Sequence, residues 1–244
     1  MIYLILPAFN EEKNLKKIFE QLNSLDIVRN ITVILVDDCS QDETSAIFQG
    51  KKNKFFFYYL KNKKNYGLSL TLKNGFEFIS DKLKINDLIV TMDSDNTHPV
   101  NIIPEMIEKM KMEKSNLIIA SRYLKDSEVN GLSFLRKILS QLAKLVFSFL
   151  FPHKNLREYT CNFRIYKSFL IKEILSQEKF FKGEDFNITI KILLFLIEKF
   201  KDLKISEYPL ILNYDQKIGS SKLRILKNIF LTLKLIFLKK FKLN

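Results

Sequence analysis

The sequence predicts an α/β fold with a mainly parallel central sheet and helices on both of its faces. Short apolar runs alternate with segments of helical period through residues 1–123, the pattern of a doubly covered parallel sheet. Polar clusters follow three of the runs, at 7–11, 37–38 and 93–95. In such sheets ligands bind beyond the carboxyl ends of the strands, so the clusters belong on one rim. At 244 residues and 47% apolar content, with no internal repeat, low-complexity tract or glycine-rich linker, the chain has material for one large domain.

The elements follow in order. Residues 2–6 are a short apolar run. In PAFNEEKNLKKIFEQLNSL, Asn10 and two glutamates suit a helix start, and Leu15, Ile18, Phe19, Leu22 and Leu25 recur at helical spacing. ITVILVDDCSQDETSAIF places a β-branched strand over 31–36, acids at its end, then a helix. KFFFYYL is a third strand, NYGLSLTLKNGFEFI a helix opened by glycine, and DLIVTMDSD a fourth strand. PVNIIPEMIEKMKM is helical again and NLIIASRY is a fifth strand. One domain is expected over 1–215, followed by a basic amphipathic segment over 216–244.

The formal charge is +13, and it is segmental. Residues 132–157 carry Arg136, Lys137, Lys144, Lys154 and Arg157 with no acid. Residues 222–244 carry seven basic side chains and again no acid, and the rest of the chain is nearly balanced. In LSFLRKILSQLAKLVFSFLF the polar residues Ser133, Arg136, Lys137, Ser140, Gln141, Lys144 and Ser148 form one narrow helical stripe beside a broad apolar face. The tail KLRILKNIFLTLKLIFLKKFKLN is similarly lysine-marked and aliphatic. Helices of this kind, over 132–152 and in the tail, lie in a membrane interface with lysines among anionic headgroups. A helix in the core and a dimer contact are the alternatives. Nucleic-acid binding calls for polar or aromatic-studded basic surfaces instead, so no nucleic-acid partner is expected. No uncharged apolar run reaches the length of a membrane span, and the N-terminus lacks the basic start of a signal peptide. Cys39 and Cys161 match no metal spacing and read as reduced thiols; two histidines exclude a histidine-rich metal site.

The turn DSD delivers Asp93 and Asp95 to the end of a strand. Two carboxylates there suit a hard divalent cation, Mg²⁺ or Mn²⁺, with phosphate oxygens completing its shell. Asp37 and Asp38 are placed to accept hydrogen bonds from a base and ribose, or to complement a helix N-terminus.

The blocks LPAFNEEKNL, VILVDDCSQDET, NYGLSLTLKNG, VTMDSDNTHP and IASRY, continuing through EYTCNFRIYK, GEDFNITI and IGSSKL, follow in order and spacing the pattern of family 2 glycosyltransferases. The chain resembles most the dolichyl-phosphate mannose synthase-like branch, the polyprenyl-phosphate glycosyltransferases. That resemblance implies a GT-A fold and an inverting, metal-dependent hexosyltransferase. Pro7, Ala8, Asn10, Glu11, Asp37, Asp38, Asp93 and Ser94 would bind the nucleotide-diphosphate sugar, with Asp93 and Asp95 as metal ligands. Asp95, Arg122, Asp185 and Lys222 would serve catalysis, and Arg122, Arg136, Ser140 and Lys222 the acceptor phosphate. The pattern is broken at three places: Gln216, beside Lys217, stands where an arginine is usual, Cys39 replaces the glycine of DDGS, and TCNFR replaces TSGFR.

The acceptor decides the chemistry still needed. A lipid phosphate is already ionised near neutral pH, whereas a sugar hydroxyl needs a general base. The resemblance implies that Asp185 in FFKGEDFN stands at the place of such a base, or that Phe186 and Asn187 instead mark the phosphate-accepting branch; a helix cap is the alternative for Asp185. Polyprenyl phosphate is the expected acceptor, a lipid-linked or surface glycan the alternative. The protein is expected in the cytoplasm, peripheral on the inner membrane face. A non-catalytic membrane scaffold of the same fold is the rival of another class.

Overall fold

The computed structural model describes residues 1–47, 53–181 and 187–216, together with 218, 231, 232, 234 and 236. The chain runs β1 (Ile2–Ala8), α1 (Glu12–Asn23), β2 (Ile31–Asp37), β3 (Phe56–Lys61), α2 (Gly67–Ser80), β4 (Leu88–Thr91), α3 (Ile103–Met112) and β5 (Leu117–Ser121). It continues through β6 (Glu128–Asn130), α4 (Phe134–Leu150), β7 (Arg164–Lys167), α5 (Ser168–Leu175), α6 (Ile188–Lys199), β8 (Ile205–Pro209) and β9 (Ile211–Asn213). Seven strands form one sheet in the order β3-β2-β1-β4-β7-β5-β8, and β6 pairs with β9 outside it. Within the seven, β7 runs antiparallel to β4 and β5 and every other pair is parallel.

The buried strands read as they do because both faces are covered. All seven residues of β2 and all five of β5 are buried. On α1, Leu15, Ile18, Phe19 and Leu22 are at most 1% exposed, the inward stripe that their spacing predicts. Phe19 meets Phe55 and Phe57 edge-on, with ring centroids 5.5 and 5.9 Å away.

Where a helix is expected after β2, the described residues form only a 3₁₀ turn over Glu43–Ser45. Asp42 Oδ1 accepts from the Thr44 amide at 3.0 Å and also from its hydroxyl. Short polar side chains of this kind offer the backbone local partners that compete with a helical ladder.

β7 inserts between β4 and β5 and brings the preceding loop, residues 158–163, against the ends of both strands. Arg164 holds that loop. Its guanidinium is fully buried and donates to the carbonyls of Cys161 (2.8 Å), Tyr159 (2.8 Å) and Thr189 (2.7 Å). The planar fork reaches three acceptors at once, which an ammonium on a flexible stem does not reproduce.

α4 is inverted relative to the other helices. Only Phe147 of its 17 residues is buried. Phe134, Leu135, Leu142, Leu145 and Phe149 are 52–83% exposed. Four polar stripe residues, Arg136, Ser140, Lys144 and Ser148, are half-buried toward the protein together with Leu139, Ala143 and Leu150, while Ser133, Lys137 and Gln141 are exposed. The alternative of a helix in the core is therefore not met. Among the described residues no helix is long and apolar enough to cross a membrane.

Replacing Arg164 by Lys should lower stability by about 2–4 kcal/mol, because at least two buried carbonyls lose their donor. Urea denaturation of the two proteins checks this; equal midpoints would show that the loop does not depend on the fork.

Candidate active site

Three rim loops converge at the carboxyl ends of β1, β2 and β4. Each turns through a non-glycine residue with positive φ: Asn10 at 53°, Cys39 at 64° and Asn96 at 62°. The left-handed conformation is costly for an L residue with a Cβ, which explains why glycine suits the position of Cys39 in the related pattern. The first two loops are stapled together. Asn10 donates its backbone N–H to Ser40 Oγ at 2.8 Å and accepts from the Gln41 amide at 2.8 Å. Pro7 pairs with Val36 and Ala8 with Asp37, and the Asp38 amide donates to the Ala8 carbonyl at 2.7 Å.

The acids after β2 are held by protein donors. Asp37, fully buried, accepts from the Ser40 amide (2.8 Å) and the Tyr59 hydroxyl (2.6 Å). Burial first, and then the Asp37 carboxylate, push the Tyr59 phenol above its ordinary range. Asp38 accepts from Asn62 Nδ2 and from the amides of Tyr66 and Gly67, at 2.7–2.8 Å. It thereby closes the N-terminus of α2 on β2. Glu11 is buried, and Asn14 Nδ2 donates to its Oε2 at 2.6 Å. The Asn14 amide also pairs with the backbone of Ile218, donating to its carbonyl and accepting from its N–H, both at 3.1 Å.

The acidic turn follows β4. Asp93 Oδ1 accepts from Asn162 Nδ2 at 3.1 Å, while its backbone N–H donates to His98 Nδ1 at 3.2 Å. His98 is buried against Phe163 and serves the turn's backbone. Its Nε2 lies 3.8 Å from Cys161 Sγ, whose thiol is pushed up to about 12 by burial and by the nearby Glu158. Asp95 Oδ1 accepts from the Thr97 amide (3.2 Å) and hydroxyl (2.7 Å), which fixes the turn. Ser94, between the two acids, has a buried hydroxyl with no partner among the described residues. Among the described residues no three His, Cys, Asp or Glu side chains gather into a complete metal cage. Two carboxylates and an orphaned hydroxyl in one turn fit a hard cation whose shell is finished by a ligand's oxygens.

Arg122 follows β5, and its guanidinium grips Glu158 through Nε to Oε2 and Nη2 to Oε1, both 2.8 Å. Glu158 is fully buried, and its Oε1 also accepts from the Thr160 and Cys161 amides at 2.9 and 3.0 Å. Burial alone would raise this carboxyl. The Arg122 charge, its hydrogen bonds and the two amides more than offset that and lower it to about 2. Burial likewise works against the Arg122 charge, and Glu158 outweighs it and holds the guanidinium protonated. Beneath them Glu207 Oε1 accepts from the amides of Arg157 (2.7 Å) and Glu158 (2.6 Å). Tyr214 faces this corner: burial raises its phenol, the Arg122 charge lowers it, and Asp93 and Asp95 raise it further.

The rim thus brings together Pro7, Ala8, Asn10, Glu11, Asp37 and Asp38, with Asp93, Ser94, Asp95 and Arg122 along the same edge of the sheet. Arg136 and Ser140 lie half-buried on α4, and Ser140 is engaged by Tyr123. Asp185, Lys217 and Lys222 lie outside the described residues. Sequence reading missed Glu158, Asn162 and Tyr214. Glu158 does carry a signal, as the first acid after the acid-free stretch 132–157.

This arrangement is that of the GT-A fold. Residues 3–175 match the family described as glycosyl transferase family 2, and the chain belongs to that family. It is 30% identical over 225 residues to a dolichol-phosphate mannosyltransferase of Pyrococcus furiosus, covering 91% of this chain and 59% of that one. It is 24% identical to an undecaprenyl-phosphate 4-deoxy-4-formamido-L-arabinose transferase of Shewanella sediminis, over 71% of this chain and 50% of that one. The chain therefore spans little more than half the length of these two relatives. Glucosyl-3-phosphoglycerate synthase of Mycobacterium tuberculosis, solved with Mn²⁺ and uridine-diphosphate-glucose, superposes with a TM-score of 0.66 at 15% identity, covering 98% and 78% of the two chains.

The lowered Glu158 pKa sets a pH window. Its contribution to stability is fully present above the ordinary carboxyl value of 4.5 and is lost as pH falls toward about 2. Glu158→Gln should cost about 3–5 kcal/mol at pH 7, because Arg122 keeps its charge without a partner. The gap should shrink in denaturation curves taken at pH 3 and below; a constant gap would refute the assignment.

Proposed function

We propose that this protein is an inverting glycosyltransferase that moves a hexose from a nucleotide-diphosphate sugar to polyprenyl phosphate at the cytoplasmic face of a membrane. The observation that carries the reading is the outward apolar face of α4 beside a rim of paired acids and Arg122. A soluble acceptor gives no reason to turn Phe134, Leu135, Leu142, Leu145 and Phe149 to the outside. A lipid-borne phosphate does, because its chain stays in the bilayer while its headgroup must reach a donor in water. The names of the relatives that act on dolichol phosphate and undecaprenyl phosphate support the same acceptor class.

The residues divide the work. Pro7, Ala8, Asn10, Glu11 and Asp37 line the end of the sheet where the nucleotide sits. Asp93 and Asp95 would hold Mg²⁺ or Mn²⁺, with Ser94 Oγ offering a further hydrogen bond. When bound, such an ion supplies positive charge to the departing diphosphate. Arg122, kept rigid by Glu158, adds fixed charge that needs no reorganisation during transfer. An ionised lipid phosphate is its own nucleophile, so attack from the face opposite the diphosphate inverts the anomeric carbon without a protein base. Arg136 on α4, with Lys222 from the tail, would hold that phosphate at the membrane edge.

Asp95→Asn should cut transfer at least about 100-fold, with melting nearly unchanged, since the amide oxygen can still accept from Thr97. Incubating the purified protein with polyprenyl phosphate, Mn²⁺ and a panel of nucleotide sugars, then identifying the lipid product by mass spectrometry, measures this. Full activity of the variant would end the metal role.

The double substitution Leu145→Asp and Phe149→Asp should weaken binding to phosphatidylcholine/phosphatidylglycerol vesicles at least about tenfold, since burying each apolar side chain contributes about 1.5–3 kcal/mol. Unchanged co-sedimentation would remove α4 from the membrane contact.

A further inference from the structure

Arg122 and Glu158 each have a tyrosine as the next residue in the chain, and both tyrosines reach α4. Tyr123 extends its hydroxyl to Ser140, 2.6 Å from Oγ and 2.9 Å from the carbonyl oxygen. Its ring lies between two cations, with the Arg122 guanidinium 5.4 Å and the Lys144 ammonium 5.1 Å from the centroid. Tyr159 stacks on Phe147 at 5.4 Å with an interplanar angle of 19°, and its hydroxyl donates to the Phe151 carbonyl at 2.8 Å. Ser140 and Phe151 are about 16 Å apart along the helix axis. Two attachments so far apart fix both the height and the tilt of α4 relative to the ion pair.

The rest of the pair's surroundings are anchored elsewhere. Glu207, from β8 of the central sheet, holds the amides of Arg157 and Glu158. Arg164 holds the carbonyls of Tyr159 and Cys161 from β7. The Arg122–Glu158 pair is therefore suspended between the sheet on one side and α4 on the other. Among the described residues α4 buries Phe147 fully and packs Ala143 against the core, so the two tyrosines are a large part of what sets its position. Its free face is apolar, and residues 132–157 are basic without an acid, so an anionic lipid surface is the complementary partner.

We propose that Tyr123 and Tyr159 are positioning residues that transmit docking of α4 on an anionic bilayer to the segments that carry the Arg122–Glu158 pair, so that these segments open less often when the enzyme is on lipid. This rests on the membrane reading of α4 given above. A ligand shifts an equilibrium only through contacts that differ between states, and the two tyrosines are the contacts through which α4 reaches the segments carrying the pair. The consequence is that the site is completed on the surface that carries its acceptor.

Hydrogen exchange of the full chain, with and without phosphatidylcholine/phosphatidylglycerol vesicles, tests this without needing the donor. Vesicles should slow exchange in peptides 134–150, 122–127 and 157–163 of the wild type by about fivefold or more. In the double variant Tyr123→Phe and Tyr159→Phe, which keeps both rings, peptide 134–150 should remain protected by vesicles. Peptides 122–127 and 157–163 should then exchange at the same rate with and without lipid. Persistent lipid-dependent protection of 157–163 in the variant would overturn the coupling, as would its absence in a wild type whose α4 is protected. A wild type with no protection anywhere would overturn the membrane reading, and the coupling with it.

Discussion

A carboxylate removed from water must be met by charge and hydrogen bonds or it ceases to be a carboxylate. Glu158 satisfies that requirement with Arg122 on one side and the Thr160 and Cys161 amides on the other. The same contacts fix the loop 158–163, from which Asn162 reaches Asp93. One ion pair thus ties the arginine after β5 to the acids after β4, across the antiparallel strand between them. Because it sits out of water, its geometry is stiff and weakly screened by salt.

The acids along the rim divide by their partners. Asp38 is spent on closing α2 against β2, and Asp37 on the Ser40 turn and Tyr59. Asn162 orients Asp93, and the Thr97 amide and hydroxyl orient Asp95, without burying either carboxylate completely. Hydrogen bonds keep such groups in place before a ligand arrives, which is how a charged site avoids reorganising during reaction. Asn162, standing where the related pattern has glycine, adds an amide directly beside Asp93 and narrows that corner.

Much of the fold was legible in the sequence because strands covered on both faces and amphipathic helices leave local patterns. β1 to β5, α1, α2 and α3 follow from runs and spacings within ten or fifteen residues. β7 and β8 were not foreseen, since RIYK and ISEYP are too short to show a period, and the antiparallel insertion of β7 is a matter of register between distant segments. In the site, the DSD turn and the DD pair announce themselves as unpaired charge after apolar runs. Tyr214 and Asn162 do not, because a phenol or an amide in a loop has no signature until its neighbours are known.

The amphipathic stretch after residue 132 marks the boundary between the two kinds of information. Sequence by itself determined that it would be a helix with a polar stripe and a broad apolar face, because helical geometry alone sets which residues share a side. Which side would meet the protein was decided only by tertiary structure. Tyr123 presents a polar partner to Ser140 and Tyr159 one to Ser148, and those partners come from the turn after β5 and from the loop before β7. A hydrogen bond needs both ends in place, and only the folded sheet brings the second end.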